Sequence, residues 1–179
     1  KAKLGSYKYV NPNDHVNLCQ SSNDVMPSAL KIASVLELKH LYNELNELEN
    51  SLSKKGKEFS KLIKAGRTHL QDAVPVTLGQ EFNAYAEAIS RDIERIKEAE
   101  EKLHLLGLGG TAIGSGLNAH PKFAKQVCVE ISKATKQKFF EEKNKFYSTQ
   151  FYSDFLELSN ELKILAIDLC KICNDLILL

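Results

Sequence analysis

Three ladders of apolar residues, each stepping alternately three and four positions, constrain this chain more than any other feature. The first is Leu38, Leu41, Leu45, Leu48 and Leu52. The second runs Leu78, Phe82, Tyr85, Ile89, Ile96 and Leu103, with Asp92 and Ala99 in two further places. The third is the cleanest: Phe155, Leu158, Leu162, Leu165, Leu169, Ile172 and Leu176. Such spacing lays one apolar stripe along an α-helix and matches a heptad seam. A helix from Leu78 to Leu103 is about 38 Å long at its standard rise. No segment reads convincingly as a strand. The chain is therefore expected to be all-α, a bundle of long near-parallel or antiparallel helices forming one helical domain over residues 1–179. Helices this long carry more apolar surface than one compact domain needs, which points to association with further copies.

Local signals place the helix ends. Residues 1–23 read as irregular, with Asn11-Pro12-Asn13-Asp14 as a turn signal. A helix is expected to begin near Asp24, with Pro27 tolerated in its first turn. Over residues 53–65, Lys54, Lys55, Lys57, Lys61 and Lys64, diluted by Glu58, read as a solvated helical face. Thr77-Leu78-Gly79-Gln80 has the T-x-x-Q form of a capping box. The segment from Gly107 to Gly116 holds five glycines and cannot be a stable helix. A shorter helix is expected from about Pro121 to Ala134.

Composition excludes several classes of function. Lys plus Arg number 24 against 23 Asp plus Glu, a formal net charge of +1, so nothing draws the chain as a whole to nucleic acid or membrane. No apolar run approaches the ~18 residues of a membrane span. The four cysteines do not form a disulfide framework. Cys170 and Cys173 make a C-x-x-C inside a helical pattern and read as small buried thiols rather than a zinc or redox site. A reducing, cytoplasmic-type compartment fits. The chain opens without a Met and stops inside an apolar pattern, so it is expected to be a piece of a longer protein.

Three polar segments interrupt the helices and could carry chemistry. Gln20-Ser21-Ser22-Asn23-Asp24 puts hydroxyls and a carboxamide at a helix N-terminus, where free N–H groups favour a carboxylate; plain N-capping is the simpler reading. Gly66-Arg67-Thr68-His69-Leu70-Gln71-Asp72-Ala73-Val74-Pro75 joins two helices, yet holds a histidine beside a threonine. A hydroxyl can bond a polar substrate group while the neighbouring imidazole passes or orients a proton. The glycine-rich segment could lay its amides against a ligand, but it lacks the Lys-Ser/Thr ending of a Walker phosphate loop.

In chain order these segments read S-S-N-D, then G-R-T-H-L-Q-D-A-V-P-x-T-L-G-Q-E-F, then G-G-T-A-I-G-S-G-L-N. The combination closely resembles the fumarase/aspartase superfamily, in particular class II fumarases and aspartate ammonia-lyases, from about Tyr9 to Leu178. The resemblance implies a homotetramer whose central helices pool into one large bundle, with active sites where three subunits meet. It implies trans addition–elimination on a four-carbon dicarboxylate, with no metal or organic cofactor, no nucleic acid and no membrane. Ser21, Ser22, Asn23 and Thr68 would bind substrate, and His69 would transfer a proton or orient the leaving group. Asn11, Pro12, Asn13 and Asp14 match a secondary anion site of fumarases, although its first residue is normally His.

The family's third signature, G-S-S-x-M-P-x-K-x-N-P, which carries the serine base, is not among these 179 residues, nor is an N-terminal S-G-T segment. The piece alone is therefore expected to lack appreciable activity. Markers of the two lyases conflict. Ser21-Ser22-Asn23, Gly109-Gly110-Thr111, Asn144-Lys145-Phe146 and Glu157-Leu158-Ser159 look like fumarase. His69-Leu70-Gln71, Asn11-Pro12-Asn13 and Lys171-Ile172-Cys173-Asn174-Asp175 lean toward aspartase. Position 22 would lie at the substrate, so fumarase is the preferred reading. A non-catalytic oligomerisation scaffold is the alternative of another class. The compartment expected is cytoplasmic, or mitochondrial in a eukaryote.

Overall fold

A computed structural model describes residues 3–179. The chain is predominantly helical: α1 is Ser22–Glu58, α2 Leu78–Leu103, α3 Phe123–Thr135, α4 Lys145–Gln150 and α5 Ser153–Leu178. Two small strand pairs complete it. β1 (Ile63–Thr68) and β2 (Gln71–Thr77) form an antiparallel hairpin, and β3 (Leu105–Leu106) pairs in parallel with β4 (Phe140–Glu141). No helix among the described residues is long and apolar enough to cross a membrane.

The described chain divides into two compact units. One contains residues up to Leu36 together with Glu101–Phe155; the other contains Glu37–Glu100 and Leu156–Leu179. The second holds the heptad seams. Leu38, Leu45 and Leu52 of α1, Tyr85, Ile89, Ile93 and Ile96 of α2, and Leu158, Leu165 and Ile172 of α5 are all buried. Asp92 and Ala99 are buried at their seam places too. Leu41, Leu48, Leu162 and Leu169 are only half-buried. Each stripe thus buries its centre and leaves its flank open.

Helix α2 starts where the T-x-x-Q pattern places it. Thr77 N–H donates to Gln80 Oε1 at 2.8 Å, and Gln80 N–H donates to Thr77 Oγ1 at 3.2 Å. Gly79 lies inside that box because nothing larger fits. A β-carbon there would sit 2.4 Å from the Gly56 carbonyl oxygen and 2.7 Å from Ser60 Cα.

In the first unit, the Lys31 ammonium is buried and fully engaged. It donates to Asp154 Oδ2 at 2.6 Å, to the Leu105 carbonyl at 3.0 Å and to the Lys102 carbonyl at 3.4 Å. The last of these is a carbonyl of α2's final turn, where a cation is favoured. A buried ion pair offsets its desolvation only when further hydrogen bonds satisfy it, as here.

The structure corrects four expectations. The absence of strands fails at residues 63–77, because the supposed joint between helices is a hairpin. The irregular N-terminal segment contains one π turn, Pro12–Val16. The lysine-rich face ends early: α1 stops at Glu58, and Lys64 is a half-buried strand residue. Cys170 and Cys173 are exposed on α5 in the single chain, whereas Cys128 is buried with its thiol pushed up to about 11 by burial.

Two outcomes test this packing. Alanine in place of a helical glycine ordinarily stabilises, but Gly79→Ala must push against backbone and is expected to cost about 1–3 kcal/mol in urea denaturation. Asp92 has one oxygen paired with Arg95 Nη1 at 2.6 Å and its Oδ2 buried without a partner. Burial first, and then Asp168, raise its pKa; Arg95 opposes them and Glu161 adds to the rise. A raised folded-state pKa gives stability that is complete at low pH and declines as pH climbs from the ordinary carboxylate range through the raised value. Asp92→Asn cannot ionise, so its stability relative to wild type should grow between about pH 4 and pH 7. A difference that stays flat over that range contradicts this account.

Candidate functional site

The S-S-N-D segment and the glycine-rich segment are joined in the first unit by one carboxylate. Asp24 is buried, and its Oδ2 accepts from Gly109 N–H at 3.1 Å and Thr111 N–H at 2.9 Å. Its Oδ1 accepts from Ser21 N–H at 2.9 Å. Charge-assisted bonds of this kind are among the stronger ones in proteins. Asn23 adds a clasp, donating from its carboxamide to the Ala112 carbonyl at 2.7 Å. Ser21 Oγ accepts from Asn23 N–H at 3.2 Å, while Ser22 is exposed on the first turn of α1.

At Gly114 the loop can take this path only without a side chain. Gly114 has φ +101°, and a β-carbon on it would lie 2.5 Å from the Phe146 nitrogen. The loop also borders a cleft of about 420 Å³ lined in part by Ser115, His120, Lys143 and Asn144.

Thr68 and His69 belong to the second unit. Thr68 pairs with Gln71, so His69 and Leu70 are the two central residues of a hairpin turn. Their φ values are +51° and +59°. A two-residue turn matching the strand twist needs positive φ at both places, and Asn-Gly usually supplies it. A side chain held there costs about 1–3 kcal/mol per residue. Both residues are exposed, so no core contact of their own repays that cost. The strain places an imidazole at the tip of a projecting hairpin. Gly66 sits at a bulge below the tip, where a β-carbon would meet the Val74 carbonyl oxygen at 2.7 Å. The Arg67–Asp72 ion pair, 3.3 Å across the strands, is exposed and contributes little.

His69 also borders a cleft of about 430 Å³ with Arg67, Lys64, Glu81, Tyr85 and Lys171. Within it, Tyr85 Oη donates to Asp175 Oδ2 at 2.9 Å, and Lys171 bonds the same carboxylate oxygen. Burial pushes the Tyr85 phenol well above its usual range, assisted by Asp175. The Lys171 hydrogen bond, with the Tyr85 bond behind it, holds Asp175 below the usual carboxylate range.

Asn11, Pro12, Asn13 and Asp14 form the opening of the π turn. Asn11 Oδ1 accepts from Asn13 N–H at 2.8 Å and Asp14 N–H at 3.2 Å. The amides that could face an anion are thus turned onto Asn11 itself, and His15 Nδ1 takes the Asn11 N–H at 2.9 Å. Among the described residues no cluster of three His, Cys, Asp or Glu is arranged to hold a metal ion.

Comparison with known proteins adds the lineage. A family model described as Lyase matches residues 1–179. The chain belongs to the fumarase/aspartase lyase family. A class II fumarate hydratase of Prochlorococcus marinus is 47% identical over 178 residues, covering 99% of this chain and 38% of that protein. An aspartate ammonia-lyase of Helicobacter pylori is 46% identical over 175 residues, covering 98% and 37%. The crystal structure of a class II fumarase from Schistosoma mansoni superposes with a TM-score of 0.89 at 35% identity, over 93% of this chain and 38% of that one. The chain therefore spans a little over a third of the length of these relatives.

Sequence reasoning singles out Ser21 to Asn23, Thr68 and His69 as candidates, but misses what holds them. Asp24 was visible only as an ordinary capping residue, and nothing in its spacing announced bonds to residues 85 and 87 positions away. Tyr85 was hidden as a seam residue and Lys64 as part of a solvated face. The first omission is testable. Asp24→Ala leaves three N–H groups without their acceptor and is expected to cost about 3 kcal/mol or more in urea denaturation. Faster amide exchange at Gly109 and Thr111 than elsewhere in the first unit should accompany it; unchanged exchange there would contradict the assignment.

Proposed function

We propose that this chain is the central helical part of a lyase that interconverts (S)-malate with fumarate and water. The observation that carries the reading is the exposed hairpin tip, with Thr68 at the end of β1 and His69 beside it in a strained turn. Backbone strain is spent on projecting an imidazole outward, where groups from other copies could complete a site. In this reading a base takes the proton beside one carboxylate, the freed electron pair forms the C=C bond, and the C–O bond breaks. The departing hydroxyl takes up a proton and leaves as water. His69 supplies or orients that proton, Thr68 bonds the substrate, and Ser21, Ser22 and Asn23 hold a carboxylate or the leaving oxygen. The base is assigned to the G-S-S-x-M-P segment, which is not among these residues.

The same reading makes the parent a homotetramer. Leu156, Ile164, Ile167 and Ile177 on α5 are exposed in the single chain, apolar surface that further helices would cover. No metal or organic cofactor is invoked, and the setting is cytoplasmic, or mitochondrial in a eukaryote. A second reading, loss of ammonia from aspartate, is favoured by the near-equal identity to the Helicobacter pylori enzyme. The exposed Ser22, which would meet the leaving group, keeps hydration first.

Fumarate absorbance measured with the full-length enzyme separates the readings. Malate is expected to be consumed and aspartate not; the reverse result makes the protein an ammonia-lyase, and no turnover of either supports the scaffold. His69→Asn should lower kcat by about a hundredfold or more. The isolated 179-residue chain should show no appreciable turnover.

A further inference from the structure

The hairpin that carries Thr68 and His69 has little to hold it in place. Residues 67–75 are all exposed, and a two-stranded hairpin alone is marginal in water. At its tip two residues are strained and favour relaxation. Near its base, one charged contact ties it to the helices. Lys64 of β1 places its ammonium 2.9 Å from Glu81 Oε2 and 3.2 Å from Oε1, in the first turn of α2. Both side chains are 29% exposed, enough shielding for the pair to act unlike a solvated one.

Behind Glu81 the helices are themselves locked. Tyr85, one turn along α2, is buried and donates to Asp175 of α5. Lys171 completes this lock from above the Tyr85 ring, its ammonium 5.3 Å from the ring centroid. The Lys64 charge also helps hold Asp175 ionised. Lys64 therefore joins the strand to a rigid platform made by two helices. From Lys64 to Thr68 is about 14 Å of extended strand, so a small tilt at the base is magnified at the imidazole.

We propose that Lys64 is a positioning residue of the lyase site, its ion pair with Glu81 fixing the strand that presents Thr68 and His69. The proposal rests on the lyase reading of His69. Displacing a catalytic group by about 1 Å can cost a hundredfold in rate without removing any contact to substrate. Lys64 needs no such contact itself, so its loss should fall on kcat more than on KM.

The test uses the full-length enzyme with Lys64→Met, Lys64→Arg and Glu81→Gln, reading both steady-state kinetics and amide exchange. Lys64→Met and Glu81→Gln are expected to lower kcat about tenfold or more, with KM changed much less. Hairpin amides should exchange about tenfold faster while those of α2 and α5 keep their rates. Lys64→Arg, which keeps the charge, should recover most of the rate. Unchanged hairpin exchange in Lys64→Met, or unchanged kcat in an otherwise active enzyme, overturns the proposal. So does global loss of structure in Lys64→Met with no recovery in Lys64→Arg. If the wild type turns over neither malate nor aspartate, the lyase reading fails instead, and hairpin exchange still decides whether Lys64 anchors the strand.

Discussion

One buried carboxylate organises the first unit. Asp24 accepts backbone N–H groups from both sides: Ser21 just before α1, and Gly109 and Thr111 in the glycine loop. Neither segment could hold this shape alone. A loop with five glycines carries high conformational entropy, and the first turn of any helix has unsatisfied donors. One acceptor answers both needs. It also explains why the loop must be glycine-rich at particular places, since Gly114 approaches the Phe146 backbone and Gly109 the Ala124 side chain. Ser21, Ser22 and Asn23 are thereby held at a fixed start of α1.

The second unit solves the opposite problem. Its core is regular, and its candidate chemistry stands away from that core on a hairpin. The strain at His69 and Leu70 is offset by the reciprocal capping of α2 and by the Lys64–Glu81 pair. A flexible linker would join the same two helices at lower conformational cost, but it could not aim an imidazole.

The architecture was legible because it rests on periodicity. The ladders marked α2 and α5 to within a few residues, and the T-x-x-Q pattern fixed the start of α2. The hairpin was not legible, for a physical reason. The inward places of β1 are Lys64 and Gly66 while Ile63 and Ala65 face out, and β2 is exposed over most of its length, so no apolar alternation marks the strands, and the turn holds His-Leu instead of Asn-Gly. The site residues were recognisable as residue types in order, but not as assembled groups. Hydrogen bonds such as Asp24 to Thr111 link positions far apart in sequence, and no local pattern encodes them. Lys64 looked like one more lysine in a charged run until the helix was seen to end before it.

The two exposed features of this chain have a common logic. An apolar flank on α5 is costly in water, and so is the backbone strain that carries the His69 imidazole. Each is sensible when other copies are present, the first as buried surface and the second as one wall of a shared cleft. A single gain, association, can then offset both costs. In the proposed lyase this coupling would make assembly part of the chemistry, because the imidazole would meet its complementary groups only when the helices meet theirs. It also gives a reason for anchoring an otherwise exposed hairpin at its base. In the proposed assembly, a wall matched to surfaces of other subunits would gain from a fixed position, since each adjustment would shift a reacting group. Rigidity at the base of β1 and openness at its tip are therefore two requirements of one design, and Lys64 stands where they meet.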